Sequence, residues 1–128
     1  MSINGEAFYE HKKKQFGMQA SHVKFTEDYI RAVNYATDRI GIELHLDSMP
    51  TRITDVGTDI DLDSDYEIAL NDIVDYRLIG FGHRRGDLDL KTAESFAKES
   101  IGLAMLRRDL DSIDADNDDV IADLDTTS

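Results

Sequence analysis

"SDYEIALNDIVDYRLIG", residues Ser64–Gly80, is the stretch of sequence that decides the fold. Ser64 and Glu67 fit a capping box, in which each side chain binds the other residue's backbone amide at a helix N-terminus. Apolar residues then recur at the spacing of one helix face, and glycines 80 and 82 follow. The stretch therefore predicts an amphipathic helix. Its recurring positions are Tyr66, Ala69, Leu70, Ile73, Val74 and Arg77.

Two further long helices are predicted around this one. Thr26 is a suitable N-cap for a helix over residues 27–40, which Gly41 would end. Asp89 is a suitable N-cap for a helix with a narrow face of small residues, which a partner helix can approach closely. We expect it to pack antiparallel to the Ser64–Gly80 helix across the 80–89 loop. That face comprises Ala93, Phe96, Ala97, Ser100, Ile101, Ala104 and Met105.

The remaining elements are shorter. Residues 5–16 predict a helix anchored by Phe8, Tyr9 and Phe16, with Lys12, Lys13 and Lys14 on its solvent side. Residues 42–46 alternate apolar and polar side chains and predict a strand that pairs with residues 51–56. The predicted fold is mainly α: a bundle of three to four helices with a short two-stranded β feature and an extended acidic C-terminal arm. Its parts are an N-terminal segment (1–24), a helical domain (25–108) and the arm (109–128).

Composition limits the function. The 128 residues suffice for one domain, and the formal charge of −13 argues against wrapping nucleic acid as the main task. Without cysteine, disulfide scaffolds and Cys-based zinc sites are excluded. No apolar run is long enough for a membrane span, and the N-terminus lacks the apolar stretch of a signal peptide. We therefore expect a soluble chain made in the cytoplasm, without membrane contact.

The acidic arm holds eight aspartates and no Lys, Arg or His. It reads as a docking arm, a solvated disordered tail or a metal loop. We prefer the interpretation as a docking arm. A segment that becomes ordered on a basic, partly apolar surface would use both its acidic and its apolar residues. The candidate docking residues are Asp109, Ile113, Asp114, Asp116, Asp118, Asp119, Val120, Ile121 and Leu124.

Metal, cofactor and catalytic chemistry find little support in the sequence. The acidic stretches 59–65 and 114–119 lack the glycine and the final glutamate of an EF-hand calcium loop. The four histidines are dispersed without zinc spacing, and no nucleophile, base and acid can be chosen together. We expect no metal, no cofactor and no enzyme activity. The glycine-rich loop "GFGHRRG" (80–86) lacks the phosphate-loop pattern, although Arg84 and Arg85 could protrude from it.

The run "ITDVGTDIDLDSDYEIALNDIVDYRLIGFGHRRGDLDLKTAESFAKESIGLAMLRRD" resembles the head-to-tail adaptor (connector) proteins of tailed bacteriophages. The resemblance lies in the acidic extended lead-in, in Leu62 and Tyr66 at the helix start, and in the small residues spaced along the last helix. "FTEDYIRAVNYATDRIGI" is similar to the family's first long helix, so the resemblance covers about residues 25–108. The family often has proline after the leucine, where this chain has Asp63.

The resemblance implies a virion protein of the phage neck. Twelve copies would form a ring beneath the portal protein, extend the DNA channel and offer a platform to the tail or to further neck proteins. The arm would dock on the portal, and passing DNA would be contacted without sequence specificity. Lys12, Lys13, Lys14, Arg84 and Arg85 are candidates for contact with DNA or a partner.

Helices three and four are the preferred ring-forming surface, through Ile68, Leu78 and Leu103. The alternative function is an acidic module that mimics DNA or inhibits a basic nucleic-acid-binding protein, which the charge of −13 suits. A calcium sensor is a third reading. It would require a large calcium-dependent change in helicity.

Overall fold

The computed structural model describes the backbone of residues 2–17 and 23–127 and the side chains of residues 2–17 and 24–110. The chain is mainly helical, as predicted. Its helices are α1 (Gly5–Phe16), α2 (Val23–Glu43), α3 (Glu67–Gly80) and α4 (Leu90–Thr127). Two strands, β1 (Ser2–Ile3) and β2 (Ile60–Asp63), form one antiparallel sheet. The fold class predicted from the sequence is confirmed.

The helix α3 lies at the centre of the bundle, in contact with both α2 and α4. Its inner face is apolar at helical spacing, and the facing residues of α2 are completely buried along the whole helix. α4 contributes small residues, Ala93 and Ala97, which allow close approach to α3. The core is completed by α1, whose Phe8 and Phe16 join the same apolar cluster. α1 thus packs as part of the helical body.

The small sheet is not where the sequence placed it. Residues 42–46 belong to the end of α2 and the turn after it, and residues 51–56 form no strand. The five-residue alternation was misleading because Leu44 continues the helical stripe of Ile40, one turn earlier, whereas Ile42 is 63% exposed. β2 instead comes from the acidic lead-in, where Ile60 and Leu62 point inward.

Three helix boundaries also differ from prediction. α2 begins at Val23, so Thr26 lies inside the helix and is not its N-cap. α2 passes through Gly41, and the left-handed residue after it is His45, with φ 52°. Gly41 has another role, since a Cβ atom there would lie 2.9 Å from Sδ of Met49. At the start of α3, a single 3₁₀ turn intervenes and is capped by Asp63, which accepts a hydrogen bond from the amide of Asp65. The prediction of a capping box between Ser64 and Glu67 is therefore wrong.

The predicted packing of α3 against α4 agrees with the structure. α4 begins directly after Asp89, whose Oδ1 accepts a hydrogen bond of 2.7 Å from the amide of Thr92. α3 and α4 pack against each other across the 81–89 loop. One residue of the predicted face is wrong: Phe96 is 46% exposed, because it lies to the side of the narrow stripe made by the alanines.

The N-terminus is fixed to the lead-in of α3 by a close backbone contact at Gly5. Its amide donates to Oδ1 of Asp59 at 3.1 Å, and a Cβ atom at this position would lie 1.9 Å from the carbonyl oxygen of Thr58. Gly102, in the interior of α4, has no such neighbour within 4 Å. Gly5 therefore leaves no room for a side chain, whereas Gly102 does.

We predict opposite effects of alanine at these glycines. Gly5→Ala should lower the free energy of unfolding by about 2 kcal/mol or more, because β1 and Thr58 must move apart. Gly102→Ala should raise it by about 0.5–1 kcal/mol, because alanine is the better helix former. Urea unfolding followed by circular dichroism measures both. Equal effects of the two substitutions would contradict the close approach at Gly5.

Candidate functional site

A buried cluster of charges joins α1, α3 and the 81–89 loop. Nζ of Lys12 lies 2.7 Å from Oδ1 of Asp75, and the Lys12 side chain is completely buried. Nη1 of Arg85 donates to Oδ2 of the same carboxylate at 2.6 Å. Asp75 thus binds one cation on each oxygen, and a buried charge pair of this kind is stable only with such complete partnering.

The remaining hydrogen-bonding capacity of Lys12 is also used. Its ammonium donates to Oε1 of Gln15 at 2.8 Å and to Oδ1 of Asn71. An ammonium has three donors, and here each has an acceptor. Burial lowers the pKa of Lys12, and the Asp75 carboxylate acts in the opposite direction. The group ties α1 to α3 at a position that water does not reach.

The prediction that Lys12 faces solvent is wrong, and so is its candidate contact with DNA or a partner. The three lysines are adjacent in sequence, but neighbouring residues on a helix point about 100° apart. Lys12 lies four residues from both Phe8 and Phe16 and so shares their inward face. Arg85 is half-buried and its guanidinium is bound to Asp75, which the sequence did not indicate either.

The other predicted basic residues lie at the surface. Lys13 is 2.7 Å from Oε1 of Glu10 and lies over the ring of Tyr9 at 5.0 Å. Lys14 is exposed, and Arg84 is exposed in the loop between α3 and α4. Contact of Lys13, Lys14 and Arg84 with DNA or a partner remains a prediction.

The 81–89 loop is held on a second side by His83. Nε2 of His83 lies 2.7 Å from Oδ2 of Asp28, and the ring of Phe25 meets the imidazole edge-on at 5.2 Å. His83 and Arg85 therefore turn inward while Arg84 between them is exposed. Sequence reasoning missed His83, because its partner lies 55 residues away and nothing local marks the pair.

Carboxylates of the acidic stretch 59–65 accept hydrogen bonds from backbone amides within the fold. Asp59 accepts from the amide of Gly5 at 3.1 Å, and Asp61 accepts from the amide of Thr51 at 2.9 Å. The amide of Asp65 holds the pKa of Asp63 below its usual value. Among the described side chains, residues 2–17 and 24–110, no three His, Asp or Glu residues are grouped as metal ligands. The other acidic stretch, 114–119, lies outside those side chains.

Apolar side chains remain exposed on the outer sides of α3 and α4. Ile68 is 73% exposed and Leu103 is 59% exposed, and both line a shallow groove with Ala69 and Ala104. Leu78, the third residue of the predicted ring-forming surface, is completely buried because it follows Val74 by one turn on the inner face. The outer groove fits contact with another protein better than binding of a small polar ligand.

The candidate docking arm can be followed as backbone. α4 continues through it to Thr127, and Asp109 is 58% exposed with its Oδ1 bound by Nη2 of Arg108 at 2.9 Å. The other candidate docking residues lie outside the described side chains; they are Ile113, Asp114, Asp116, Asp118, Asp119, Val120, Ile121 and Leu124.

Comparisons with protein-family models, with curated proteins and with solved structures found no match to this chain. In the part of the chain that the structure describes, no helix is long and apolar enough to cross a membrane.

The buried lysine yields a matched prediction. Lys12→Met should lower the free energy of unfolding by about 3 kcal/mol, because Asn71 and Gln15 lose their donor and Asp75 loses one of two cations. Lys14→Met, at the exposed neighbouring site, should change it by less than about 0.5 kcal/mol. Urea unfolding at neutral pH measures both variants. Similar values for the two would show that the Lys12 cluster does not stabilise the fold.

Tyr29 yields a prediction about alkaline pH. Its ring is completely buried against Tyr9, and within residues 2–17 and 24–110 its hydroxyl has no hydrogen-bond partner. Burial raises the pKa of Tyr29 because the ionised form is disfavoured in the folded state, so the fold keeps its stability below the unfolded pKa of about 10 and loses stability as the pH rises further.

Tyr29→Phe should therefore reduce the loss of stability above about pH 10. At pH 7 it should be neutral or stabilising by about 1 kcal/mol, since an unpaired buried hydroxyl is removed. Unfolding in urea at about pH 7 and about pH 10.5 tests this, with Tyr76→Phe at a half-buried tyrosine as the control. If the Tyr29→Phe variant loses as much stability at alkaline pH as the unchanged protein does, groups other than Tyr29 cause that loss.

Proposed function

We propose that this chain is a structural assembly protein, a head-to-tail adaptor of a tailed bacteriophage. Copies of it would form a ring beneath the portal, extend the DNA channel and offer the tail its attachment platform. In the virion, the chain would occupy the neck between portal and tail. It would act by binding proteins and not by catalysis.

The observation that carries the proposal is the apolar groove on the outside of the helical body. Ile68 and Leu103 are far more exposed than large apolar residues usually are, and they lie side by side on neighbouring helices. The α3–α4 pair that presents them is the part of the chain whose sequence most resembles the adaptors. A ring contact between copies would bury this groove.

The acidic arm supports the same proposal. It extends α4 beyond the body as a helix to Thr127 and concentrates eight aspartates in residues 109–128. An arm of this kind can reach a neighbouring protein while the body remains in the ring. The acidity also suits a DNA conduit, because a wall that bound phosphates tightly would slow the passing DNA.

The DNA-mimic alternative fits the structure less well. A mimic needs carboxylates presented on a rigid surface. Several carboxylates of the body are instead taken up by internal partners, as Asp75 is by two cations and Asp59 is by the Gly5 amide. The longest acidic run lies in the arm.

Reconstitution with the portal ring of the same phage tests the proposal. The full-length chain should add a symmetric ring to the portal, seen by sedimentation and electron microscopy, and the 1–108 truncation should not. Ile68→Asp should prevent ring closure, whereas Ile42→Asp, at another exposed apolar site on α2, should not.

Circular dichroism verifies that each variant is folded. Absence of any portal binding by the folded full-length chain would overturn the adaptor function. Capture of a basic nucleic-acid-binding protein that survives the 1–108 truncation would support the acidic-module alternative.

A further inference from the structure

α4 has two apolar faces. One packs into the core through Ala93, Ala97 and Ile101. The other points away from the body, and its described members are roughly half exposed or more. They are Phe96 at 46%, Leu103 at 59%, Leu106 at 55% and Leu110 at 51%.

The described residues of this outer face belong to a seven-residue repeat in the sequence. From Leu103 to Leu124, positions separated alternately by three and four residues are apolar with one exception, and the α4 backbone carries all of them on one helix. This a/d spacing is the pattern by which two helices pack side by side in a coiled coil. The positions are Leu103, Leu106, Leu110, Ile113, Asn117, Val120 and Leu124.

The exception is informative. Asn117 occupies an a position in the middle of the repeat. A single asparagine at such a position lowers the stability of a coiled coil but fixes its register and the number of its helices. A repeat that served only to cover the protein's own core would have no use for a polar residue there.

The flanks of the repeat are acidic. Three g positions hold Asp109, Asp116 and Asp123, and the e positions hold Arg107, Asp114 and Ile121. Over residues 103–128 there are eight aspartates and two arginines. In a parallel pair of two copies, Asp109 would face Asp114 of the second copy, and in an antiparallel pair acids would face acids. Like charges at these positions disfavour self-association.

Resting on the proposed function for its place in assembly, we infer that the outer face of α4 beyond the Ile68–Leu103 groove, from Leu106 onward, docks an amphipathic helix of a partner protein. That helix carries apolar residues at a and d and Lys or Arg at e and g. Its charge complements the aspartates of α4, and its apolar stripe covers Leu106, Leu110 and the residues that follow in the repeat. Aspartate is a weak helix former, so docking also stabilises the distal part of α4.

A synthetic peptide is the probe. It has three heptads with Leu or Ile at a and d, one Asn at the a position that meets Asn117, and Lys at every e and g. A second peptide is identical except for Glu at every e and g. Isothermal titration with the full-length chain should give one basic peptide bound per chain, at least about tenfold tighter than the acidic peptide at low salt. The difference should shrink at about 0.5 M NaCl.

Two matched pairs of variants test the surface itself. Leu106→Ser with Leu110→Ser should weaken binding of the basic peptide at least about tenfold, whereas Ile42→Ser should not. Both leucines are already exposed, so the body stays folded. Asn117→Leu should tighten binding of a peptide with Leu in place of its Asn, and Ser112→Leu, at a c position, should not.

The outcomes separate clearly. Equal binding of both peptides, no binding, or binding unaffected by the double leucine variant would each overturn the inference. So would a dimer of the chain that the same double variant abolishes, since a second copy would then be the occupant. Portal binding without basic-peptide binding leaves the adaptor function standing and rejects helix docking. Peptide binding without portal binding does the reverse.

Discussion

The carboxylate of Asp75 is the constraint on which the rest of the structure depends. It lies on α3, the helix that touches both of the other long helices, and it holds a cation from α1 and another from the 81–89 loop. A carboxylate in such a position costs several kcal/mol to bury unless its partners are in place. The helices and the loop must therefore come together in one arrangement, and alternatives that leave Asp75 unpaired are strongly disfavoured.

This inner anchoring leaves the outer surface available. Because α4 meets α3 largely through alanines and other small side chains, several of its larger apolar residues are left at the rim and on its outer side. Ile68 and Leu103 lie outside the buried core, and Leu106 and Leu110 extend the apolar surface along α4. A body held together by a polar centre and a compact core can thus present apolar faces for assembly without unfolding when they are uncovered.

Local patterns in the sequence predicted the elements well, and contacts between distant segments account for the failures. Asp89 and the alanine stripe sufficed to place α4, because caps and helical periodicity are local signals. The pairing of β1 with β2 could not be foreseen, since two residues at one end of the chain meet a stretch nearly sixty positions away. Lys12 was misplaced because three adjacent lysines suggest a solvated run; its spacing of four residues from Phe8 and from Phe16 indicates the inner face, and Asp75 supplies the partner that makes burial there possible.

The same limit applied to the functional surfaces. The exposure of Ile68 was predicted correctly from its position on the outer face of α3. The burial of Leu78 was not predicted, because the side of α3 that faces the core depends on how this helix is oriented against α2. The inward turn of His83 and Arg85 likewise depends on partners 55 and 10 residues away.

The cluster of Lys12, Asp75 and Arg85 also offers a way to recognise distantly related proteins. A substitution of Asp75 leaves the buried Lys12 and the half-buried Arg85 without their shared carboxylate, so a change at this position requires compensating changes at the other two. A lysine on the first short helix, an aspartate in the third and an arginine ten residues beyond it form a three-point signature. Such a signature can outlast overall sequence likeness, because it is tied to the geometry of the buried centre and not to the surface around it.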